Sequence, residues 1–337
     1  MNRSPTGHVS PVRWGILATG GIARTFTEDL LRLDDHEVVA VGSRAMSSAR
    51  AFADRYGIER AYGSYEALAT DDEVDVVYVA TPHSGHFPAA RTCLLAGRAV
   101  LVEKPLTVTA AEALEIAELA KGRGLFAMEA MWTRFNPLIR QICELVKTGD
   151  LGDIVLVQAD FSERVRFDAD DRMWNPSLAG GALLDLGVYP ISFGSMLLGE
   201  PTEIRALTSH AATGVDANTA IIGRYARGAL GVYHCGLWAD SPLTAAITGT
   251  EGTIMIAAPF YRPHSFTLQK RSAAPQTFSI TLEGHGYTYQ AAEVARCLRA
   301  GLTESPTMPL AETVSIMRTL DAVRAALAAE APEHLPG

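Results

Sequence analysis

A lysine, an aspartate and a tyrosine in this chain can combine into proton and hydride chemistry. Val100-Leu101-Val102-Glu103-Lys104-Pro105 is an apolar run that ends on a charged pair, with a proline at once behind it. Charges at the end of a buried strand are costly unless they are paired or used. Gly180-Gly181-Ala182-Leu183-Leu184-Asp185-Leu186-Gly187-Val188-Tyr189-Pro190 sets Asp185 and Tyr189 four residues apart, on one face of a helix. The two glycines allow close backbone approach at its start. A free tyrosine titrates at about 10. A nearby ammonium and an oxidised nicotinamide both favour the phenolate. Tyr189 can then remove a hydroxyl proton as hydride leaves the same carbon, with Lys104 lowering its pKa and His86 as the next candidate for the role. Taken singly, Lys104 reads equally as a surface-loop lysine and Tyr189 as a core-edge aromatic.

Three further stretches place a dinucleotide beside those groups. Ala18-Thr19-Gly20-Gly21-Ile22-Ala23 follows the strand Trp14-Gly15-Ile16-Leu17 and opens a helix. It matches GxGxxG with alanine at the first and third positions; Gly20 lets the backbone approach a pyrophosphate, and helix-start amides face it. An acid that would bond the ribose 2′-hydroxyl of NAD is missing after the second strand, which ends Gly42-Ser43-Arg44. Arg44 can instead pair with a 2′-phosphate and stack on adenine, and Ser43 can add a donor, so NADP(H) is expected over NAD(H), with NAD(H) still possible. Thr81-Pro82-His83-Ser84-Gly85-His86 ends a third apolar strand and can reach the ribose and nicotinamide. No carboxylate or cysteine partner accompanies the two histidines, so no metal site is expected.

The elements that must hold these residues change rhythm near residue 130. Before it, unbroken apolar strands (Val38 to Gly42, Val74 to Ala80, Ala99 to Val102, Phe126 to Met128) alternate with helices (Met46 to Tyr56, Ala89 to Ala96, Ala110 to Gly122). That pattern predicts a parallel sheet covered on both faces. After it, a helix from Leu138 to Lys147 precedes eight alternating segments between Ile154 and Thr281, which predict a mainly antiparallel sheet with one face free. Helices around Tyr289 to Ala300 and Ala311 to Ala329 follow. The chain is thus read as α/β, with a flexible stretch 1–11, a nucleotide-binding domain 12–130 and a substrate-binding and oligomerisation domain 131–337.

Length and composition bound the function. At 337 residues, two domains are the default, and 48% hydrophobic with 20% charged residues describes a folded chain. A net charge of −9 argues against a general nucleic-acid or anionic-membrane surface. Cys93, Cys143, Cys235 and Cys297 are scattered, which suits free thiols in a reducing cytoplasm. No secretory signal is expected at the N-terminus and no stretch of the ~18 apolar residues that a membrane span needs.

These residues together resemble the Gfo/Idh/MocA oxidoreductase family, from Trp14 to about Arg324. Met128-Glu129-Ala130-Met131-Trp132-Thr133-Arg134-Phe135-Asn136-Pro137, Gly180 to Tyr189, Gly249-Thr250-Glu251-Gly252-Thr253 and the Gly284-His285-Gly286-Tyr287 tail are similar to its dihydrodiol and NADP-dependent D-xylose dehydrogenase subgroup. The resemblance implies a Rossmann domain followed by an α/β domain with an open sheet. It implies that Lys104 is catalytic, that Asp185 matches the family's aspartate, and that Tyr189 replaces a histidine, as in that subgroup. It places Trp132 and Phe161, with Asp185 and Tyr189, at the substrate. It puts Arg172 and Trp174, with Glu103 and Lys104, near the cofactor. A sugar or cyclic-diol substrate and a homodimer or homotetramer through the second sheet are further implications. Ketosugar or anhydrosugar reduction, and a nucleotide-sensing regulator without turnover, are the rival readings.

Overall fold

The computed structural model describes residues 10–328. The stretch 1–9 and the last residue of the helix expected at Ala311 to Ala329 lie outside the described residues. Six strands form the first sheet: β1 (Val12–Leu17), β2 (His36–Gly42), β3 (Arg60–Tyr62), β4 (Val76–Val79), β5 (Ala99–Glu103) and β6 (Ala127–Ala130). They run parallel in the order β3-β2-β1-β4-β5-β6. The order reverses between β1 and β4, and ligands bind in the crevice outside such a reversal. Every residue of β5 is buried, down to Glu103, as expected of a strand with helices on both faces.

Eight strands form the second sheet: β7 (Ile154–Ser162), β8 (Glu203–His210), β9 (Asp216–Arg224), β10 (Leu230–Gly236), β11 (Ala245–Gly249), β12 (Gly252–Ile256), β13 (Ser265–Lys270) and β14 (Gln276–Ser279). Their order is β14-β13-β12-β11-β7-β10-β9-β8, and every pair is antiparallel except β7 with β10. Buried and exposed positions alternate along β9, the mark of a sheet covered on one face only.

Five features depart from the expectations raised by the sequence. The strand Arg60–Tyr62 and the short helix Tyr65–Ala69 were not anticipated; three residues are too few for a strand pattern, and the helix is recognisable only by Ser64, whose side chain accepts the Ala67 N–H at 3.1 Å. The helix expected from Ala89 begins at His83 and carries Pro88 inside it, so packing overrides the proline penalty and His83 to His86 form a helical turn. The segment Pro176–Leu198 is long and apolar enough to cross a membrane, contrary to expectation, but 83% of its apolar window is buried within the protein, as befits a core helix. Finally, the last helix, Leu310–Ala328, packs against both sheets' elements. Asp321 accepts the N–H of Ala110 at 2.9 Å, capping the helix Ala110–Arg123, while the same last helix lies on β8. The region after residue 131 is therefore not confined to its own sheet.

Candidate active site

A cavity of about 570 Å³ lies outside the carboxyl ends of β1, β2, β4 and β5 and is closed on its far side by β7 and the segment 183–198. One end is built by the glycine turn. Ala18, Thr19, Gly20, Gly21 and Ile22 line it. Gly20 precedes the helix Gly21–Leu30 without any side-chain cap. The first amides of that helix are thus left for a ligand. A Cβ added to Gly20 or Gly21 would meet nothing within 4 Å, so the turn leaves open space in front of those amides. Ala18, which stands where glycine is usual, has φ +83°, a conformation that an L side chain adopts only under strain. Ser43 and Arg44 line the same end, and Arg44 forms no ion pair among the described residues. Tyr65, carried in by the unanticipated short helix, joins them.

The other end is a network in which almost every polar group has a partner. Lys104 Nζ donates to the Asp185 carboxylate at 2.9 Å and to the Asp185 carbonyl at 2.7 Å. Leu183–Gly187 is a π turn that runs directly into the helix Val188–Leu198, so Asp185 sits where the helical hydrogen-bond register changes. His83 Nε2 lies 3.2 Å from Asp185 Oδ1, and Arg172 donates to Oδ2 at 3.2 Å. Gly180 allows the Arg172 segment to approach: a Cβ there would stand 2.7 Å from the Arg172 carbonyl oxygen. Trp132 Nε1 donates to the Tyr189 hydroxyl oxygen at 2.9 Å, and Lys104 Nζ sits over the Tyr189 ring, 4.9 Å from its centre. Glu103 accepts the Lys104 N–H at 3.2 Å and the Tyr78 hydroxyl.

Electrostatics follow from burial. Burial would raise the pKa of Asp185, but Lys104, His83 and Arg172 outweigh it and hold the carboxyl well below its ordinary range. Burial, followed by the charge of Glu103, pushes Tyr189 well above 10, and the Trp132 bond pulls the other way. The sequence leads to an expected depression of Tyr189 by Lys104, whereas the net direction is upward. The ammonium is ion-paired with Asp185 and sits over the Tyr189 ring, without a hydrogen bond to its hydroxyl among the described residues. Burial also raises Glu103.

Thr81, Pro82, His83 and His86 line the cavity, as do Glu103, Lys104, Phe161, Arg172, Asp185 and Tyr189. His86, however, is sequestered. Its ring nitrogens lie 2.7 Å from the Pro105 carbonyl oxygen and 2.9 Å from that of Thr81, and burial lowers its pKa to about 3. Both nitrogens are thus engaged by the backbone, which anchors His86 to the turn that carries Lys104. Two other positions fall outside the cavity wall. Trp174 is fully buried; its Nε1 donates to the Arg166 carbonyl at 2.9 Å and its ring packs on Trp238 at 4.7 Å. It anchors the segment 163–175 from within the core. Trp132 stands behind Tyr189 as its hydrogen-bond donor. Tyr65 and Tyr287 in the wall are not among the site residues expected from the sequence; the segments starting at Glu163 and Tyr261, whose path the sequence leaves open, bring Glu163 to the wall and the Tyr261 ring onto Phe161 at 4.4 Å. Among the described residues, no cluster of three or more possible metal ligands occurs.

Residues 12–131 match the Gfo/Idh/MocA oxidoreductase family with its NAD-binding Rossmann fold, and residues 139–255 match the C-terminal domain of that family. The chain is 38% identical over 333 residues to trans-1,2-dihydrobenzene-1,2-diol dehydrogenase of Bos taurus, spanning 96% of this chain and 98% of that one. It is 40% identical over 359 residues to D-xylose 1-dehydrogenase (NADP(+)) of Hypocrea jecorina, spanning 94% and 92%. Among solved structures, a 3-ketoreductase from Actinomadura kijaniata in complex with NADP and TDP-benzene superposes with a TM-score of 0.86 at 27% identity, over 97% of this chain and all of that one. A glycine turn at the sheet's switch point, the Lys104–Asp185 pair and full-length similarity to two dehydrogenases agree: the chain belongs to the Gfo/Idh/MocA family of oxidoreductases.

Proposed function

We propose that this protein passes hydride between NADP(H) and a secondary or hemiacetal CH–OH of a sugar, a sugar derivative or a cyclic diol, with Tyr189 as general acid/base. The carrying observation is the Tyr189 hydroxyl itself. Its oxygen accepts from Trp132, its proton is free to point into the cavity, and the same cavity runs back to Gly20 and Arg44.

The residues present fit the dinucleotide. The uncapped helix start suits a pyrophosphate, and the unpaired Arg44 with Ser43 suits a 2′-phosphate. NAD(H) fits the same turn but leaves Arg44 without a partner. When bound, the cofactor supplies or accepts hydride at its nicotinamide carbon. The chain does the rest. Tyr189 gives its proton to a carbonyl oxygen in reduction and takes it from a hydroxyl in oxidation. Lys104 is fixed by two bonds to Asp185 and orients the reacting oxygen beside the Tyr189 ring. Asp185 holds Lys104 in place, with His83 and Arg172 at its remaining lone pairs. Phe161, backed by the stacked ring of Tyr261, supplies an apolar wall for a sugar or ring face.

A second reading is ketosugar reduction. It is supported by the likeness to the 3-ketoreductase structure, which superposes over 97% of this chain. A regulator without turnover accords poorly with an intact Lys104, Asp185 and Tyr189.

The protein is further proposed to assemble through the free face of the second sheet, in the cytoplasm. Ile222, Val232 and Met255 are exposed there in one cross-strand row; a monomer by light scattering would contradict this. The function is tested by following NADP⁺ reduction against aldoses, inositols and trans-dihydrodiols, and NADPH oxidation against ketosugars. Turnover with one class assigns the substrate, whereas NADPH binding without turnover on any of them would contradict the proposal.

A further inference from the structure

The loop 284–287 connects the cofactor helix to the catalytic end. Asp29, near the end of the helix Gly21–Leu30, is buried, and its carboxylate accepts the N–H of His285 at 2.8 Å and the N–H of Tyr287 at 2.8 Å. The loop reaches this position because Gly284 and Gly286 take φ values of +58° and +98°. A Cβ at Gly286 would stand 3.2 Å from the Trp132 ring, and one at Gly284 would strike the Asp29 carboxylate. Tyr287 is thereby delivered to the cavity wall. Its ring stacks on Trp132 with centroids 4.4 Å apart and meets the edge of Phe26 at 6.4 Å. Trp132 is the same residue that donates to Tyr189. Tyr287 stands within electrostatic reach of Tyr189 and Glu103, and its hydroxyl has no hydrogen-bond partner among the described residues. Burial holds that phenol protonated, so the wall of the same cavity carries a donor without an acceptor among the described residues.

We propose that the Tyr287 hydroxyl binds the substrate oxygen adjacent to the reacting carbon, and that Asp29 is a positioning residue that holds Tyr287 there. The inference rests on the oxidoreductase reading above and assigns a residue of this chain to substrate selection within it. Tyr189 takes the oxygen on the reacting carbon, and Tyr287 takes its neighbour, so the site selects vicinal dioxygen compounds over simple alcohols. A site built to hydrogen-bond a hydroxyl discriminates against the analogue that lacks it.

The test compares the best substrate from the screen with its analogue lacking the adjacent hydroxyl, in wild type, Tyr287→Phe, Asp29→Asn and the double variant. Tyr287→Phe is expected to lower kcat/KM for the full substrate by about 3- to 10-fold, the scale of one neutral hydrogen bond, and to leave the analogue and NADPH affinity unchanged. Asp29→Asn is expected to lower kcat/KM for the full substrate alone, and to add little on top of Tyr287→Phe. Equal losses on substrate and analogue, weakened NADPH binding in Tyr287→Phe, or fully additive effects would overturn the proposal. If Asp29→Asn fails to fold by circular dichroism, the selectivity of Tyr287→Phe alone decides. If wild type turns nothing over, the oxidoreductase reading fails, and Tyr287 is judged separately by calorimetry. The NADPH complex must then bind trans-1,2-cyclohexanediol more tightly than cyclohexanol, and Tyr287→Phe must erase the difference.

Discussion

The two ends of the cavity are built on opposite principles. At the glycine turn the polar groups are left unmatched: helix-start amides without a cap, and Arg44 without an ion pair. At the catalytic end Lys104, Asp185, His83, Arg172 and Trp132 are tied to one another or to Tyr189. Unmatched donors gain most from a multiply charged ligand. Matched ones hold a reacting group in one geometry before substrate arrives. Each end also carries its own cost. The turn holds backbone strain at Ala18, and the catalytic end sits on buried acids, with Glu129 beneath it.

If that division is real, variants at the two ends fail in different ways. The largest effect is expected from Tyr189→Phe, which keeps the ring and removes the proton carrier. The loss in kcat should be on the order of 10²–10⁴-fold. Steady-state rates on the screened substrate, with a deuterium-labelled reacting carbon to show that hydride transfer limits turnover, check it; near wild-type kcat would move the role elsewhere.

Next is Arg44→Asp, which sets a repelling charge where the account places a 2′-phosphate. The NADP⁺/NAD⁺ ratio of kcat/KM should fall by about 10- to 100-fold, the scale of a charge-assisted pair. An unchanged ratio would remove Arg44 from the cofactor end.

The buried acids give a smaller effect with a definite sign. Glu129 accepts the Leu106 N–H at 3.1 Å and the Thr313 hydroxyl at 3.1 Å, and so fixes the turn after Lys104. Burial raises its pKa to about 7, and Asp216, which accepts the Leu183 N–H at 2.6 Å, is likewise raised to about 7. Both bind protons more tightly folded than unfolded. Their contribution to stability is fully present below the ordinary carboxylate range and is lost as pH rises through about 7. Glu129→Gln should flatten this decline and stabilise the fold at pH ~8 by roughly 2–3 kcal/mol, less whatever hydrogen bonding the amide forfeits. Urea midpoints from pH ~5 to ~8 measure it, and a variant as pH-dependent as wild type would show that Glu129 is not the titrating group.

The smallest effect belongs to the turn. Ala18→Gly relieves a positive φ of +83°. Strain of ~1–2 kcal/mol is partly offset by the ~0.5–1 kcal/mol that glycine's unfolded freedom costs, so a net gain of up to about 1 kcal/mol is expected. A lower melting temperature would mean that the alanine methyl packs favourably.

The same division governs what the sequence discloses. The cofactor end is written in short runs, because a turn, its helix and the end of the next strand are local. Gly20 and Arg44 are legible there, and eight alternating segments announce the eight strands of the second sheet. The catalytic end is assembled from contacts across long separations: Lys104 to Asp185 spans 81 residues and Trp132 to Tyr189 spans 57. Residue types and the family resemblance bring those names together, but not their orientation. Hence the pairing of Lys104 with Asp185 beneath the Tyr189 ring is not readable from the sequence, and Trp174, expected near the cofactor, is buried in the core against Trp238. Tyr65 was hidden because its helix is a single short turn. Tyr287 had a signal in the two glycines just before it, but its position depends on Asp29, which lies 258 residues away.

The proposed division puts cofactor binding at one end and proton transfer at the other. A single fluorescence titration of NADPH into wild type, Arg44→Asp and Tyr189→Phe separates the two. Tyr189→Phe is expected to bind NADPH within about twofold of wild type while turnover collapses, and Arg44→Asp to weaken NADPH by about 10-fold or more. A Tyr189→Phe protein that loses NADPH affinity in step with its activity, beside an Arg44→Asp protein that binds normally, would contradict it.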